Sequence, residues 1–111
     1  MGNATIFLPI EISMESFQVL LPDFFEEIEE DFELMRLVDL NNGETEIQKI
    51  AHKIKGSAAT YGAVLIAEKA KILEECIIAN LKGNIERCVN EVGESIRLSH
   101  DYAVLNFGIS D

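Results

Sequence analysis

The sequence predicts an all-α chain: an antiparallel, up-down four-helix bundle preceded by a short extra helix. Three observations lead there. Apolar residues recur at steps of three and four along most of the chain, the period of a helix with one buried face. Short polar turn signals separate the periodic runs. No segment joins strand-like alternation to a hairpin turn.

The elements follow in order. Residues 1–12, "MGNATIFLPIEI", are apolar around Pro9 and read as an extended lead-in. Ser13 can cap a short helix through Phe17, Val19 and Leu20. Pro22 then either opens a second helix or kinks a continuous one. From Asp23 to Leu40 the residues Phe24, Phe25, Ile28, Phe32, Met35 and Val38 recur at helical spacing, with acids between them. "NNGE", residues 41–44, is a turn. The next helix starts near Glu44 or Thr45, with a stripe of Ile47, Ile50, Ala51, Ile54, Ala58 and Tyr61, and breaks at Gly62. Another carries Ala63, Ile66, Ala70, Leu73, Ile77 and Leu81. "KGN", residues 82–84, reads as the following turn. The last helix carries Ile85, Val89, Val92, Ile96 and Ala103, and residues 108–111 close the chain as a frayed tail.

The 111 residues fit a single domain spanning 1–111, and the 48% hydrophobic content is that of a globular chain. No apolar run reaches the roughly 18 residues of a membrane span, and no basic leader opens the sequence. A soluble, cytoplasmic protein is expected. Cys76 and Cys88 fall within apolar helical patterns, as reduced core thiols do, and share no metal-ligand spacing with His52 or His100.

The net charge of −11 is unevenly spread. Residues 1–46 hold twelve acids against Arg36 alone. Residues 47–71 reverse the sign, with Lys49, Lys53, Lys55, Lys69 and Lys71 against Glu68. So acidic a chain is ill suited to nucleic acid, which needs a broad basic surface. The basic stretch around His52 is either a solvated helix face or a place that meets an anion.

Helix geometry sharpens that choice. The stripe through residues 47, 50, 51, 54, 58 and 61 leaves 45, 48, 49, 52, 55, 56 and 59 on the opposite face, so His52 points to solvent. Side chains on a helix lean toward its N-terminus, so a side chain at position 56 would cover the ring. Gly56 removes that cover, at a cost of roughly 1 kcal/mol relative to alanine. Ala59 is also small, and Lys55 reaches back with an ammonium. An unperturbed imidazole titrates near pH 6.5 (roughly) and is a nucleophile when neutral. A cation beside it suits a phosphoryl electrophile. The competing reading is an exposed histidine beside a helix defect.

The stretch "AHKIKGSAATYGAVLIAEKAKILEE", residues 51–75, resembles the histidine-containing phosphotransfer (HPt) domain of bacterial and eukaryotic phosphorelays. The likeness rests on His52, Lys55, Gly56, Ser57, Ala58, Gly62 and Ala63, continued by Ile66, Ala70, Leu73 and Glu74, about a quarter of the chain. Ile54 departs conservatively from the commoner leucine. The resemblance implies that His52 carries a phosphoryl group on the ring nitrogen farther from the backbone. It implies that Lys55 supports the phosphate and Gly56 gives access. Gln48, Lys49, Lys53 and Ala59 are expected, from helix geometry alone, to form the docking surface.

The expected partners are receiver domains of hybrid sensor kinases or response regulators. The chain would take the group from one receiver aspartate and pass it to another. No cofactor is expected on the chain itself, the magnesium ion belonging to the receiver. The carrier is expected to be monomeric and stoichiometric, without kinase activity. Two rivals are the phosphoaccepting helices of a sensor kinase and a helical adaptor without phosphoryl chemistry. The first usually places an acid directly after the histidine, where Lys53 stands here. The second explains the acids but not the His-Lys-Gly constellation.

Overall fold

A computed structural model describes residues 9–11, 18–39 and 43–109. Among them every regular element is helical and no strand occurs. Four helices follow in order: α1 (Leu21–Arg36), α2 (Glu44–Thr60), α3 (Val64–Ile78) and α4 (Lys82–Phe107). Each packs on the next, and α1 closes the bundle against α4. The short helix expected from Ser13 lies outside the described residues as far as Phe17, and Val19 and Leu20 at its expected end are exposed.

The core is the set of faces that the periodicity marks. Phe24, Phe25, Ile28 and Met35 of α1 are buried, with Ile47, Ala51, Ile54 and Ala58 of α2, Ile66, Ala70 and Leu73 of α3, and Ile85, Val92, Ile96 and Ala103 of α4. Cys76 and Cys88 are buried free thiols. Burial pushes the Cys76 thiol up from its ordinary value. Ile50 and Tyr61 are only half-buried, Tyr61 lying over the ring of Phe24 with centroids 4.9 Å apart.

Helix ends differ from expectation where backbone geometry outranks composition. Pro22 sits in the first turn of α1, where its missing N–H costs nothing, so it opens the helix rather than kinking one. That helix ends at Arg36, not Leu40, and Leu37 is exposed. Gly62 ends α2 as expected, with φ +71° and the Ala63 amide donating to the Ala58 carbonyl at 2.8 Å. The same wrap ends α3, but there Asn80 takes the left-handed conformation (φ 60°) while the Leu81 amide donates to the Cys76 carbonyl. "KGN" is therefore not the turn. Lys82–Asn84 form the first turn of α4, and Leu81 is exposed rather than core.

Both chain ends stay on the body as far as they are described. Ile10 is buried, the Glu11 amide donates to the Gly62 carbonyl at 2.8 Å, and the Leu65 amide donates to the Pro9 carbonyl at 3.2 Å. The lead-in thus satisfies an otherwise orphaned amide at the start of α3. At the other end, Asn106 and Phe107 are helical and Ile109 packs against the core. The part of the expected frayed tail that is described, residues 108–109, does not leave the surface.

Candidate functional site

His52 stands at mid-length on α2, opposite the buried stripe, and its side chain is 71% exposed. Its Nδ1 lies 2.9 Å from Oε2 of Glu74, which reaches across from α3. The other oxygen of the same carboxylate, Oε1, lies 2.6 Å from the Lys55 ammonium. Glu74 thus links the two residues singled out on α2. Its side chain is only 12% exposed, so little water competes for either oxygen. The Lys55 hydrogen bond is the main cause that holds the Glu74 carboxyl below the usual carboxylate range, helped by His52 and opposed by burial.

An ionised Glu74 accepts hydrogen bonds only, so Nδ1 is the nitrogen that carries the proton. The lone pair of the neutral ring then belongs to Nε2. Among the described residues Nε2 has no hydrogen-bond partner. Gly56, one turn further along α2, is exposed, and a Cβ built there meets nothing within 4 Å. The space over the ring is open.

The remaining expected site residues divide. Ala59 is exposed and Gln48 half-buried on the same face. Lys49 pairs loosely with Glu46 at 3.8 Å. Lys53 turns toward α1, 3.0 Å from Asp31 and 3.8 Å from Glu27. Those acids raise its pKa above the ordinary lysine value, Asp31 most of all. Lys53 serves first as a tie between α1 and α2. Lys55, expected as a ready cation, is already engaged by Glu74.

Glu74 is the residue that sequence reasoning missed. It was visible only as part of the family likeness, with no role attached. A usable signal was present: folding α2 onto α3 about the Gly62–Ala63 turn brings residue 74 opposite residue 52. No trio of His, Cys, Asp or Glu able to hold a metal occurs among the described residues. His100 is half-buried edge-on to Phe25, with centroids 5.0 Å apart. It lines a groove of about 630 Å³ between α1 and α4 that does not include His52.

The chain matches the family model of the Hpt domain over residues 19–105, more than three quarters of its length. It belongs to the Hpt family. That family performs histidine phosphotransfer in phosphorelays, and its members engage receiver domains. No curated protein and no solved structure matches the chain. The matched span contains all of α1 to α3 and nearly all of α4, and with them His52, Lys55, Gly56 and Glu74.

Proposed function

We propose that this Hpt domain is a phosphorelay carrier that takes a phosphoryl group from a receiver aspartate onto Nε2 of His52 and delivers it to the aspartate of a second receiver. The observation that supports this most is the ring itself: Nδ1 tethered to Glu74, Nε2 turned outward, and no side chain at position 56 to cover it.

The chemistry follows from those contacts. The Nε2 lone pair attacks the phosphorus of the acyl phosphate. The N–P bond forms as the P–O bond to the aspartate breaks, and the aspartate leaves as a carboxylate. The ring keeps its Nδ1 proton and becomes cationic. Glu74, already a carboxylate at 2.9 Å, stabilises that developing charge without rearranging. Transfer to the second receiver runs the same path backwards. Gln48, Lys49, Lys53 and Ala59 contribute the docking surface around the ring, with Lys53 limited by its hold on Asp31.

The magnesium ion that such transfer uses belongs to the receiver in this reading. Glu74 is the carboxylate in contact with His52, and both its oxygens are engaged. The protein supplies a positioned nucleophile and fixed charge, and has no kinase activity of its own. Residues 1–111 act as one monomeric cytoplasmic domain. The connections between α2 and α3 and between α3 and α4, each of three residues, support an antiparallel up-down bundle. No helix among the described residues is long and apolar enough to cross a membrane.

The deciding experiment mixes the protein with a receiver carrying radioactive phosphoryl label. Label moves into an acid-labile, base-stable linkage, the mark of an N–P bond. His52→Gln, at an exposed position, keeps the helical circular dichroism and takes no label. Label retained in that variant refutes the acceptor assignment.

A further inference from the structure

Counted by contact, the charge around His52 is balanced before any phosphoryl group arrives. Lys55 is matched by Glu74, and a neutral ring adds nothing. A phosphoryl group on Nε2 brings close to two negative charges to the neighbourhood of a carboxylate. If Lys55 swung onto the phosphate, it would leave Glu74, itself largely covered, facing that charge alone. A cation without a carboxylate of its own solves the problem.

The basic residues of α2 and α3 supply one. Lys49, Lys53, Lys55 and Lys69 each have an acidic partner, Lys69 at 3.7 Å from Glu91 on α4. Lys71 is exposed and makes no ion pair among the described residues. Its place on α3 follows from the helical period. Lys69 marks the edge of α3 that faces α4, and Glu74 marks the edge that faces α2. Lys71 stands about 60° from Glu74 around the axis and about 160° from Lys69. It is therefore on the His52 side. His52 and Glu74 are in contact, and three residues toward the connecting turn on each helix gives Lys55 and Lys71. By this register the two lysines stand at matching positions on opposite helices, on the side of the bundle that carries Gly56.

We propose that Lys71 is a second phosphoryl-binding cation, closing onto the phosphohistidine while Lys55 stays on Glu74. This rests on His52 being the acceptor. The long flexible stem of lysine lets the ammonium wait in solvent and settle on the phosphate oxygens only when they are present. No such role attaches to Lys71 before the group arrives, which is why the resting structure shows it without a partner.

The test loads His52 from phosphoramidate, whose P–N bond breaks with loss of ammonia as the new N–P bond forms. The ionisation of the attached phosphoryl group is then followed by its ³¹P chemical shift against pH. A nearby ammonium favours the dianion, so the wild type ionises at lower pH. Lys71→Ala raises that midpoint by about 0.2 to 0.7 unit, the span of an exposed ion pair. Lys71→Arg restores it, and Arg97→Ala, on α4 beside the groove that does not include His52, leaves it unchanged. In 1 M salt, where screening acts over roughly 3 Å, the difference between wild type and Lys71→Ala shrinks toward zero. Equal midpoints at low salt, or an equal shift from Arg97→Ala, overturn the role of Lys71 while leaving His52 as acceptor. Label that survives His52→Gln overturns the acceptor reading beneath it.

Discussion

Gly56 and Gly93 lie in helix interiors and should answer the same substitution with opposite signs. Gly56 is helical, lacks the positive φ of Gly62 and Gly108, and has nothing within 4 Å of a built Cβ. Alanine there removes a helix-interior glycine penalty of about 0.5–1 kcal/mol and adds no clash. For a domain of this size that is a rise of about 2–6 °C in Tm. Gly93 on α4 is filled by α1, with a built Cβ only 2.5 Å from the Phe32 ring. Alanine there overpacks the seam between α1 and α4, at a cost of about 1–3 kcal/mol before the propensity gain is returned. Differential scanning calorimetry separates the two signs. Phosphotransfer supplies the second half of the test. Gly56→Gln keeps a good helix former but lays a flexible side chain over His52. Clearing that side chain costs up to about 1.5–2 kcal/mol of rotamer freedom, so transfer from a phosphorylated receiver slows by about tenfold. A Gly56→Ala protein less stable than wild type, or a Gly56→Gln protein transferring at the wild-type rate, refutes the claim that this glycine trades helix stability for access.

Other perturbations probe the contacts beneath the ring. Glu74→Ala removes the acceptor of Nδ1 and slows transfer by about tenfold, the low end for a hydrogen bond to a charged group, while Glu74→Gln, which keeps an oxygen but no charge, falls between; quench-flow with labelled receiver measures both. The folded Glu74 carboxyl lies below its ordinary range, so its contribution to stability is present above that range and is lost as pH falls through the lowered folded value. The difference in Tm between wild type and Glu74→Gln should therefore be present at neutral pH and vanish in acid. Lys53→Met leaves the Asp31 carboxylate, 9% exposed and with Oδ2 unbonded, without its cation; urea unfolding should show lost stability, recovered in part by adding Asp31→Asn.

The parts of the structure legible in sequence are those set by a repeating physical constraint. Helical burial is one: the stripe of Ile47, Ala51, Ile54 and Ala58 is fully buried, and it alone places His52 outside. Gly62 was legible because left-handed backbone is costly for other residues. Asn80 does the same work at the end of α3, but asparagine tolerates that conformation while fitting many others, so the eye goes to Gly83, which is helical. Glu74 was illegible for a different reason. Its importance lies in two contacts across 19 and 22 residues, fixed by how α2 and α3 pack and not by any pattern within either.

The core also explains how so short a side chain as Glu74 spans two helices. The faces of α2 and α3 that meet the core carry Ala51, Ala58 and Ala70, and Ala63 fills the turn between them, all fully buried. Small residues let helix axes approach toward the lower end of the usual 8–10 Å (roughly) range. Such an approach is consistent with the Glu74 carboxylate lying within hydrogen-bonding distance of both His52 and Lys55 at the bundle surface. Ala51, Ala58, Ala63 and Ala70 therefore act on the exposed ring from inside. They set the separation of two helices, the separation sets the reach of one carboxylate, and the carboxylate fixes which nitrogen of His52 faces outward.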